Sequence, residues 1–244
     1  MSLRPLIVNA LSKHTATVIM LHGLGDSGAG WVSLAENWRR RNKFDEVKFI
    51  FPNAPSIPIT INGGFVMPGW YDITSFSDLN AVHDETGIMK SRTLLTSLVE
   101  SEISEHKIPS ERIIIGGFSQ GGAISLFTGL TIKQKLAGIF GLSCYLVLHD
   151  RVPEYVKEAN KVNQATPFFI AHGDADQVCQ YEWGVETARV IEKDLGHKVE
   201  FKTYPGLPHS AAMEEIDDLE KWITKCLDAK PTGQGEASAG PSGT

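Results

Sequence analysis

Short apolar runs rich in β-branched residues alternate along the chain with longer segments of helical period, and few folds accommodate this alternation. The runs occupy residues 17–21, 47–51, 112–116, 136–142, 167–171 and 199–203. Most are too short for helices and too apolar for a sheet with one wet face, so they predict strands buried on both faces. In the last run, Val199, Phe201 and Thr203 alternate with charged residues, which predicts an edge strand. The pattern predicts an α/β protein with a mostly parallel central sheet flanked by helices.

Two segments have the period of helices that pack on such a sheet. Residues 86–106 and 210–227 place apolar side chains three or four positions apart. The second segment also carries acidic residues in its early turns, where the helix dipole favours negative charge: Glu214, Glu215, Asp217 and Asp218. We interpret this acidic cluster as a solvated helix face and not as a metal site.

The domain organisation follows from where the apolar pattern stops. Residues 1–228 contain no internal repeat and no Pro- or Ser-rich linker, which predicts one domain. Residues 229–244 contain no large apolar residue and are rich in Gly, Ser and Pro. Because such a segment buries too little surface to offset its chain entropy, we expect a disordered tail.

Composition excludes several classes of protein. Among 244 residues, 29 Asp and Glu outnumber 23 Lys and Arg, and no basic cluster could neutralise phosphates, so we expect no nucleic-acid partner. No apolar run reaches the roughly 20 residues of a membrane span. The cysteines are too few and too scattered for a disulfide framework or a zinc site: Cys144, Cys179 and Cys226. They fit a reducing compartment, so we expect a cytoplasmic location, with the nucleus as a second one.

The pentapeptide Gly-Phe-Ser-Gln-Gly at residues 117–121 is the strongest chemical signal. An isoleucine run precedes it and a helix-compatible segment follows, which predicts a strand, a turn and a helix around Ser119. Glycines on both sides allow the strained turn that lifts a serine hydroxyl out of a sheet. The same turn places the backbone N–H of Gln120 at a helix N-terminus, where it can face a developing oxyanion. Ser119 is therefore the candidate nucleophile, whereas a merely capping serine would need no glycine on each side.

A nucleophilic serine needs a base, and the base needs an orienting acid. In enzymes with this turn, the chain order is serine, acid, histidine. The histidines at plausible places after Ser119 are His149, His172 and His209. We favour His209, because it lies in a loop between the last predicted strand and the last predicted helix. We interpret His149 as a surface residue and His172 as structural.

The acid should follow the strand at residues 167–171, where His-Gly-Asp-Ala-Asp offers Asp174 and Asp176. Spacing alone does not separate the two carboxylates. We favour Asp176, because a strand-end loop of the form His-Gly-x-x-Asp has its acid at that position. Asp174 is then expected to hold the loop through backbone hydrogen bonds.

Residues 22–26, His-Gly-Leu-Gly-Asp, follow the first buried strand and should supply a second oxyanion donor. Their glycines allow a close backbone approach, and we expect the N–H of Leu24 to act together with that of Gln120. The alternative is a phosphate-binding loop. The segment lacks both the lysine and the G-x-G-x-x-G frame of such loops.

Residues 57–70 form a long apolar segment, punctuated by Pro and Gly, that keeps no helix or strand period for long. Such a loop suits a lipid tail, since each buried methylene is worth about 0.8 kcal/mol. The candidate acyl-chain contacts are Ile59, Ile61, Phe65, Met67 and Trp70. Ordinary packing on the sheet rim is the alternative. An exposed apolar rim would also favour transient membrane contact and a weak homodimer that hides it.

These segments, taken together, resemble the acyl-protein thioesterase family of α/β-hydrolases, which are relatives of small carboxylesterases and lysophospholipases. The resemblance covers about residues 4–228 and is carried by residues 22–26, 51–55, 67–72, 116–122, 142–144 and 172–176. It implies the α/β-hydrolase fold, with Ser119 as nucleophile, Asp176 as acid and His209 as base, and no metal or cofactor. Gly69 and Cys179 depart from the Ser and Pro common in the family, which bears on acyl-chain preference.

The resemblance also implies a reaction, namely removal of long acyl chains such as palmitoyl from cysteine thioesters of membrane-attached proteins. GTPase alpha subunits and Ras-like proteins are the substrates it suggests. Oxyester hydrolysis would use the same residues, so a lysophospholipase or a short-chain carboxylesterase is the alternative. A hydrolase-fold module that binds lipid without turnover is disfavoured, because all three catalytic residue types occur in order.

Overall fold

The computed structural model describes residues 4–75, 82–159 and 161–229. Of the predicted tail, all but Ala229 lies outside these described residues, and the domain boundary at residue 228 stays a prediction.

Within the described residues, seven strands form a central sheet in which all neighbours are parallel except the first pair. The strands of the structure are β1 (Leu6–Val8), β2 (Ala16–Leu21), β3 (Val47–Phe51), β4 (Ser56–Ile59), β5 (Phe65–Pro68), β6 (Ile113–Phe118), β7 (Gly138–Leu142), β8 (Phe168–Gly173) and β9 (Val199–Tyr204). The order across the sheet is β1-β3-β2-β6-β7-β8-β9, so the predicted edge position of β9 is confirmed. The mostly parallel sheet is also confirmed, whereas the short antiparallel strand β1 was not predicted.

Helices cover both faces of this sheet, as predicted. They are α1 (Ala29–Arg40), α2 (Glu85–Ser104), α3 (Gln120–Thr131), α4 (Val152–Glu158), α5 (Tyr181–Arg189) and α6 (Met213–Asp228). Helices α1 and α6 pack on one face, and α2 to α5 pack on the other. The strands serve both layers because alternate side chains point to opposite faces. In β6, the Ile114 side chain packs on the side of α1 and α6, while those of Ile113 and Ile115 pack on the side of α2 to α5.

The interpretation of residues 57–70 as an aperiodic loop is wrong. Strands β4 and β5 form an antiparallel hairpin outside the main sheet, with Ile57 opposite Met67 and Ile59 opposite Phe65. Their turn contains Gly63 and Gly64, both at positive φ. The alternation was hard to recognise because apolar side chains occupy both faces and because prolines interrupt both strands. Proline is tolerated there, since each strand of this pair has a free edge.

The strand order places the candidate site. From β2 the chain moves outward to β3, and it later returns to the other side of β2 to form β6. Ligands of open α/β sheets bind at such a reversal, beside the carboxyl ends of the strands. Leu21 pairs with Gly117 across these two strands, so the loop after β2 and the turn after β6 emerge side by side.

Candidate active site

Ser119 stands on a strained turn between β6 and α3. Its backbone adopts φ 54° and ψ −124°, which a residue with a side chain holds only where the surroundings enforce it. A Cβ atom at Gly117 would lie 2.6 Å from the Leu21 carbonyl oxygen, and one at Gly121 would collide with the same carbonyl. Both glycines of the pentapeptide are therefore required by close backbone packing against β2, which explains why they flank the serine.

His209 and Asp176 complete a continuous chain of hydrogen bonds with Ser119. The Ser119 Oγ lies 2.9 Å from His209 Nε2, and His209 Nδ1 lies 2.7 Å from Asp176 Oδ2. A carboxylate only accepts, so Nδ1 carries the ring proton and Nε2 is left to accept the serine proton. The structure thus brings together the three residues that the sequence singled out, from the ends of β6, β8 and β9.

Asp176 is held as a buried carboxylate. Burial by itself would raise its pKa, but hydrogen bonds from His172 and His209 and from the Cys179 N–H bring that pKa well below its usual range. Its Oδ1 accepts the backbone N–H groups of Val178 and Cys179, each at 2.9 Å. The acid therefore stays charged and fixed beside the imidazole throughout the neutral pH range.

The competing residues have other partners. Asp174 Oδ1 accepts the Gly206 N–H at 2.6 Å, which ties the loop after β8 to the loop that carries His209. His172 is buried, and its Nε2 lies 2.8 Å from the Cys179 carbonyl oxygen and 3.3 Å from Asp176 Oδ2, so it supports the acid. His149 is half-buried, with its ring centroid 6.2 Å from that of His83. His209, and not these histidines, contacts the serine.

The loop at residues 22–26 lies directly against the serine. A Cβ atom built on Gly23 would be 3.4 Å from the Ser119 Cβ, so the loop that carries Leu24 passes beside the serine, and the role of the Leu24 N–H as an oxyanion donor stays a prediction. His22 is buried and holds this loop, because its Nε2 accepts the Ala54 N–H at 3.0 Å and its Nδ1 bonds the Gly23 carbonyl at 2.7 Å. Burial lowers the pKa of His22, which keeps the ring neutral for this role.

With this geometry in place, comparison with known proteins identifies the family. A family model described as Phospholipase/Carboxylesterase matches residues 3–227. The chain belongs to this family. It is 54% identical over 240 residues to an acyl-protein thioesterase 1 from Emericella nidulans, covering 96% of this chain and 99% of that one. It is 52% identical over 227 residues to an acyl-protein thioesterase 1 from Neurospora crassa, covering 91% of each.

The same holds for solved structures. The chain is similar to Zea mays acyl-protein thioesterase 2, with a TM-score of 0.82 and 29% identity, over 92% of this chain and 99% of that one. These matches confirm the predicted α/β-hydrolase fold and the resemblance to acyl-protein thioesterases. The protein is a serine hydrolase of the phospholipase/carboxylesterase family.

Gln120 has a structural task that sequence reasoning missed. Its side-chain Oε1 accepts the Trp70 N–H at 2.7 Å, and its Nε2 donates to the Tyr71 carbonyl at 2.6 Å. The Trp70 indole in turn donates to the His22 carbonyl at 2.8 Å. The residue after the serine thereby holds the base of the hairpin to the loop after β2. No local pattern indicates this, since the partners are 50 and 49 positions away along the chain.

The five candidate acyl-chain contacts separate into two groups. Ile59 and Trp70 are buried in the interior and support the hairpin from within, so neither is available at the surface. Ile61 and Phe65 are exposed, and Met67 is half-buried. Met67 faces the oxyanion loop, with its sulfur 3.8 Å from where a Cβ of Gly25 would stand.

A second apolar surface adjoins the site on the side of His209. A groove of about 620 Å³ runs between α1 and the start of α6. Its lining includes Trp31, Leu34, Phe118, His209, Met213 and Ile216. The sequence had not indicated it, because its walls come from segments more than 170 positions apart.

The acidic cluster on α6 is only partly solvated, so its interpretation needs correction. Glu215 is fully buried, because the helical period places it on the same face as Leu219 and Ile223. Its Oε2 accepts the Ala212 N–H at 3.3 Å, and burial raises its pKa to about 7. Within the described ranges, no group of three His, Cys, Asp or Glu side chains is placed to hold a metal ion.

The three cysteines are buried thiols. Burial raises the pKa of Cys179 well above its usual range, so the thiol near Asp176 is not a rival nucleophile. Among the described helices, none is long and apolar enough to cross a bilayer.

Proposed function

We propose that the protein is an acyl-protein thioesterase, which removes long-chain acyl groups such as palmitoyl from cysteine thioesters of proteins. The observation that carries the proposal is the unbroken hydrogen-bond chain from Asp176 through His209 to Ser119, in a chain 54% identical to an acyl-protein thioesterase 1. Acylated proteins are the substrate class that follows.

The first half of the reaction acylates the enzyme. Ser119 Oγ attacks the carbonyl carbon of the thioester while His209 Nε2 takes the hydroxyl proton. Asp176 stabilises the imidazolium that forms and keeps the ring in the required tautomer. The C–S bond then breaks, His209 gives the proton to the cysteine sulfur, and the acyl group remains on Ser119 as an ester.

The oxyanion of the tetrahedral intermediate is stabilised by backbone N–H groups of Leu24 and Gln120. Gln120 begins α3, so its N–H is among those that have no acceptor within the helix. The positive end of the helix dipole adds to this stabilisation. Each such donor contributes on the order of 10² to 10³ in rate.

The second half releases the fatty acid. His209 Nε2 takes a proton from water, and the resulting hydroxide attacks the carbonyl carbon of the Ser119 ester. The bond between that carbon and Ser119 Oγ breaks, and the proton returns to the serine. Neither half requires a group that the chain itself lacks.

The acyl chain is assigned to the hairpin side of Ser119. Ile61, Phe65 and Met67 offer apolar surface there, and the Gly25 N–H bonds the Pro68 carbonyl at 2.8 Å, which joins β5 to the oxyanion loop. The exposed apolar residues at the hairpin tip, Phe65 and Val66, also support transient contact with a membrane surface. A weak homodimer through the same tip remains a prediction.

The substrates and the location follow from the need to reach lipid-modified proteins. GTPase alpha subunits and Ras-like proteins, both attached to membranes by acyl groups, are the proposed partners. A cytoplasmic location, with the nucleus as a second one, is proposed on the same ground. An assay of these acylated proteins as purified substrates tests the partners directly.

The second candidate function is oxyester hydrolysis, as a lysophospholipase or a carboxylesterase, and the description of the matching family model favours it. Turnover of an S-palmitoyl peptide should be compared with that of a palmitoyl lysophospholipid and of a short-chain ester. We expect the highest kcat/KM on the thioester. Faster hydrolysis of the lysophospholipid would overturn the thioesterase proposal. A folded protein that takes no fluorophosphonate label at Ser119 would instead be a lipid-binding module.

A further inference from the structure

The groove between α1 and α6 begins at the catalytic histidine. His209, Ser210 and Ala211 form its upper end, and Met213 and Ile216 of α6 form one wall. Trp31 and Leu34 of α1 form the opposite wall. The groove therefore reaches the catalytic histidine, and the hairpin residues assigned to the acyl chain, Ile61, Phe65 and Met67, are not among those that line it.

The chemistry decides which part of the substrate lies on this side. A tetrahedral intermediate on Ser119 has an oxyanion, an acyl chain and a leaving sulfur as its other substituents. His209 Nε2 must reach the sulfur to protonate it, as it reaches Ser119 Oγ at 2.9 Å. The leaving group consequently lies beside His209, and whatever carries the sulfur extends toward the groove.

Aromatic side chains line the groove next to the histidine, and polar residues such as Asp26, Asn37 and Arg40 also contribute to its walls. The Phe118 ring lies 4.9 Å from that of His209 and 5.4 Å from that of Trp31, measured between centroids. Met213 lines the groove on α6 and is 67% exposed. Exposed methionine and aromatic side chains that line one groove are typical of surfaces that bind varied apolar side chains.

The far end of the groove is closed by ion pairs between the two helices. Arg41 lies 2.8 Å from Asp217 and 2.5 Å from Glu220, which ties the end of α1 to α6. Between Gly30 and Arg40, α1 extends about 15 Å at 1.5 Å per residue. An extended chain rises at most about 3.5 Å per residue. The groove therefore accommodates about four residues of extended peptide.

We propose that this groove binds the protein part of the substrate, as an extended segment with apolar side chains next to the acylated cysteine. The proposal rests on the thioesterase function proposed above and adds a site for the leaving group. The acyl chain lies on the hairpin side, and the peptide lies between α1 and α6. The specificity of the enzyme thus depends on the amino-acid sequence next to the acylated cysteine as well as on the acyl chain.

The experiment compares two thioesters of the same medium-length acyl chain. One carries the chain on N-acetylcysteamine, and the other on a cysteine with four apolar residues on each side. For the wild-type full-length chain we expect kcat/KM to be about tenfold higher for the peptide, the size typical of a filled apolar pocket. Shortening the peptide residue by residue, from each end in turn, should remove this advantage on one side of the cysteine.

The variant that tests the groove is Met213→Glu. An acidic residue in the first turn favours α6, so folding is preserved, while the charge opposes apolar side chains in the groove. We expect the ratio of kcat/KM for the peptide to that for the small thioester to fall about tenfold. Any effect of the new charge on His209 acts on both substrates and cancels in this ratio. Val185→Glu, on α5 and also exposed, is the matched control that keeps the ratio.

A failure of the groove proposal can be distinguished from a failure of the proposed thioesterase function. If wild type hydrolyses the small thioester but prefers it to the peptide, or ignores peptide length, the groove proposal is overturned and the thioesterase function stands. If Met213→Glu lowers both rates equally and the loss grows with acyl-chain length, the groove holds the acyl chain and the assignment is reversed. If wild type hydrolyses no thioester while it cleaves oxyesters, the proposed function itself fails, and the groove proposal fails with it.

Discussion

The two sides of Ser119 are built in opposite ways. On one side, Asp176 is fully buried and accepts hydrogen bonds from His209 and from two backbone N–H groups. On the other side, the hairpin of β4 and β5 lies outside the main sheet, and its tip exposes Phe65 at 75% and Val66 at 63%. The difference teaches that the acid of the site is fixed in the interior by several hydrogen bonds, whereas the hairpin leaves apolar side chains in solvent, where the proposed contact with lipid would be made.

The largest effect on activity should come from a substitution of the buried acid, Asp176. Asp176→Asn should lower kcat about 10⁴-fold, because the amide no longer holds His209 in the tautomer that accepts the serine proton. Asp174→Asn should cost at most about tenfold, since it weakens a single hydrogen bond to Gly206 worth about 1 kcal/mol. Steady-state kinetics on a soluble thioester measures both. The reverse ranking would show that Asp174 is the acid.

The hairpin region contains one fully buried isoleucine, Ile59, and one partly exposed isoleucine, Ile61, and these two residues form a matched pair for substitution. Ile59→Ala removes a fully buried side chain and should lower the free energy of unfolding by about 2–5 kcal/mol. Ile61→Ala, where the side chain is 38% exposed, should change it by no more than about 0.5 kcal/mol. Denaturant titration of both variants gives the comparison. Equal losses would mean that the hairpin does not pack on the rim as described.

Glu215 on α6 is another buried carboxyl group, which accepts the Ala212 N–H at 3.3 Å. Burial raises its pKa from 4.5 to about 7, so the unfolded chain ionises first as the pH rises. Wild type therefore loses stability between about pH 4.5 and 7 and the loss is complete above pH 7. Glu215→Gln avoids this loss. At pH 8 its free energy of unfolding should exceed that of wild type by about 3 kcal/mol, since each pKa unit is worth about 1.4 kcal/mol.

The comparison of unfolding curves at several pH values decides this point. The difference between Glu215→Gln and wild type should be absent near pH 4 and should grow toward neutral pH. A difference that does not change with pH would mean that the carboxyl group is not desolvated in the folded protein.

The smallest effect on activity should come from a substitution at the exposed tip of the hairpin, at Phe65. Phe65→Ser should lower the ratio of activity on a vesicle-bound palmitoyl thioester to activity on a short soluble one by about tenfold, because burial of a phenyl ring in lipid is worth about 1.5–3 kcal/mol. Leu11→Ser is the control. Leu11 is also an exposed apolar residue, but its N–H bonds the Asp45 carbonyl at the amino end of the sheet, opposite the active site. An equal response of the two variants would argue against a special role of the tip.

Local patterns were enough to predict the sheet and the residues that meet at Ser119. Buried parallel strands are apolar on both faces, so the runs around β2, β3 and β6 stood out from their surroundings. The glycines at positions 117 and 121 are needed for a turn that is local in the chain. The acid and the histidine could be selected because the order serine, acid, histidine that is general for such enzymes matched loops after the predicted strands.

Features that depend on distant partners could not be predicted in this way. The hydrogen bonds of the Gln120 side chain with the backbone of Trp70 and Tyr71 join the turn after β6 to the base of the hairpin, and no spacing rule indicates them. The groove of α1 and α6 exists only once both helices pack on the same face. Glu215 is a different case, since its position one turn before Leu219 placed it on the buried face, and a stricter use of the helical period would have found it.

The most direct test of the proposed chemistry is a rapid-quench reaction of the protein with an S-palmitoyl peptide, followed by intact-mass and peptide-mass spectrometry. We expect a burst of free peptide thiol equal in amount to the enzyme, together with a palmitoyl ester on Ser119 that decays as fatty acid is released. Thiol release without a covalent intermediate, or a palmitoyl group on a residue other than Ser119, would contradict the mechanism.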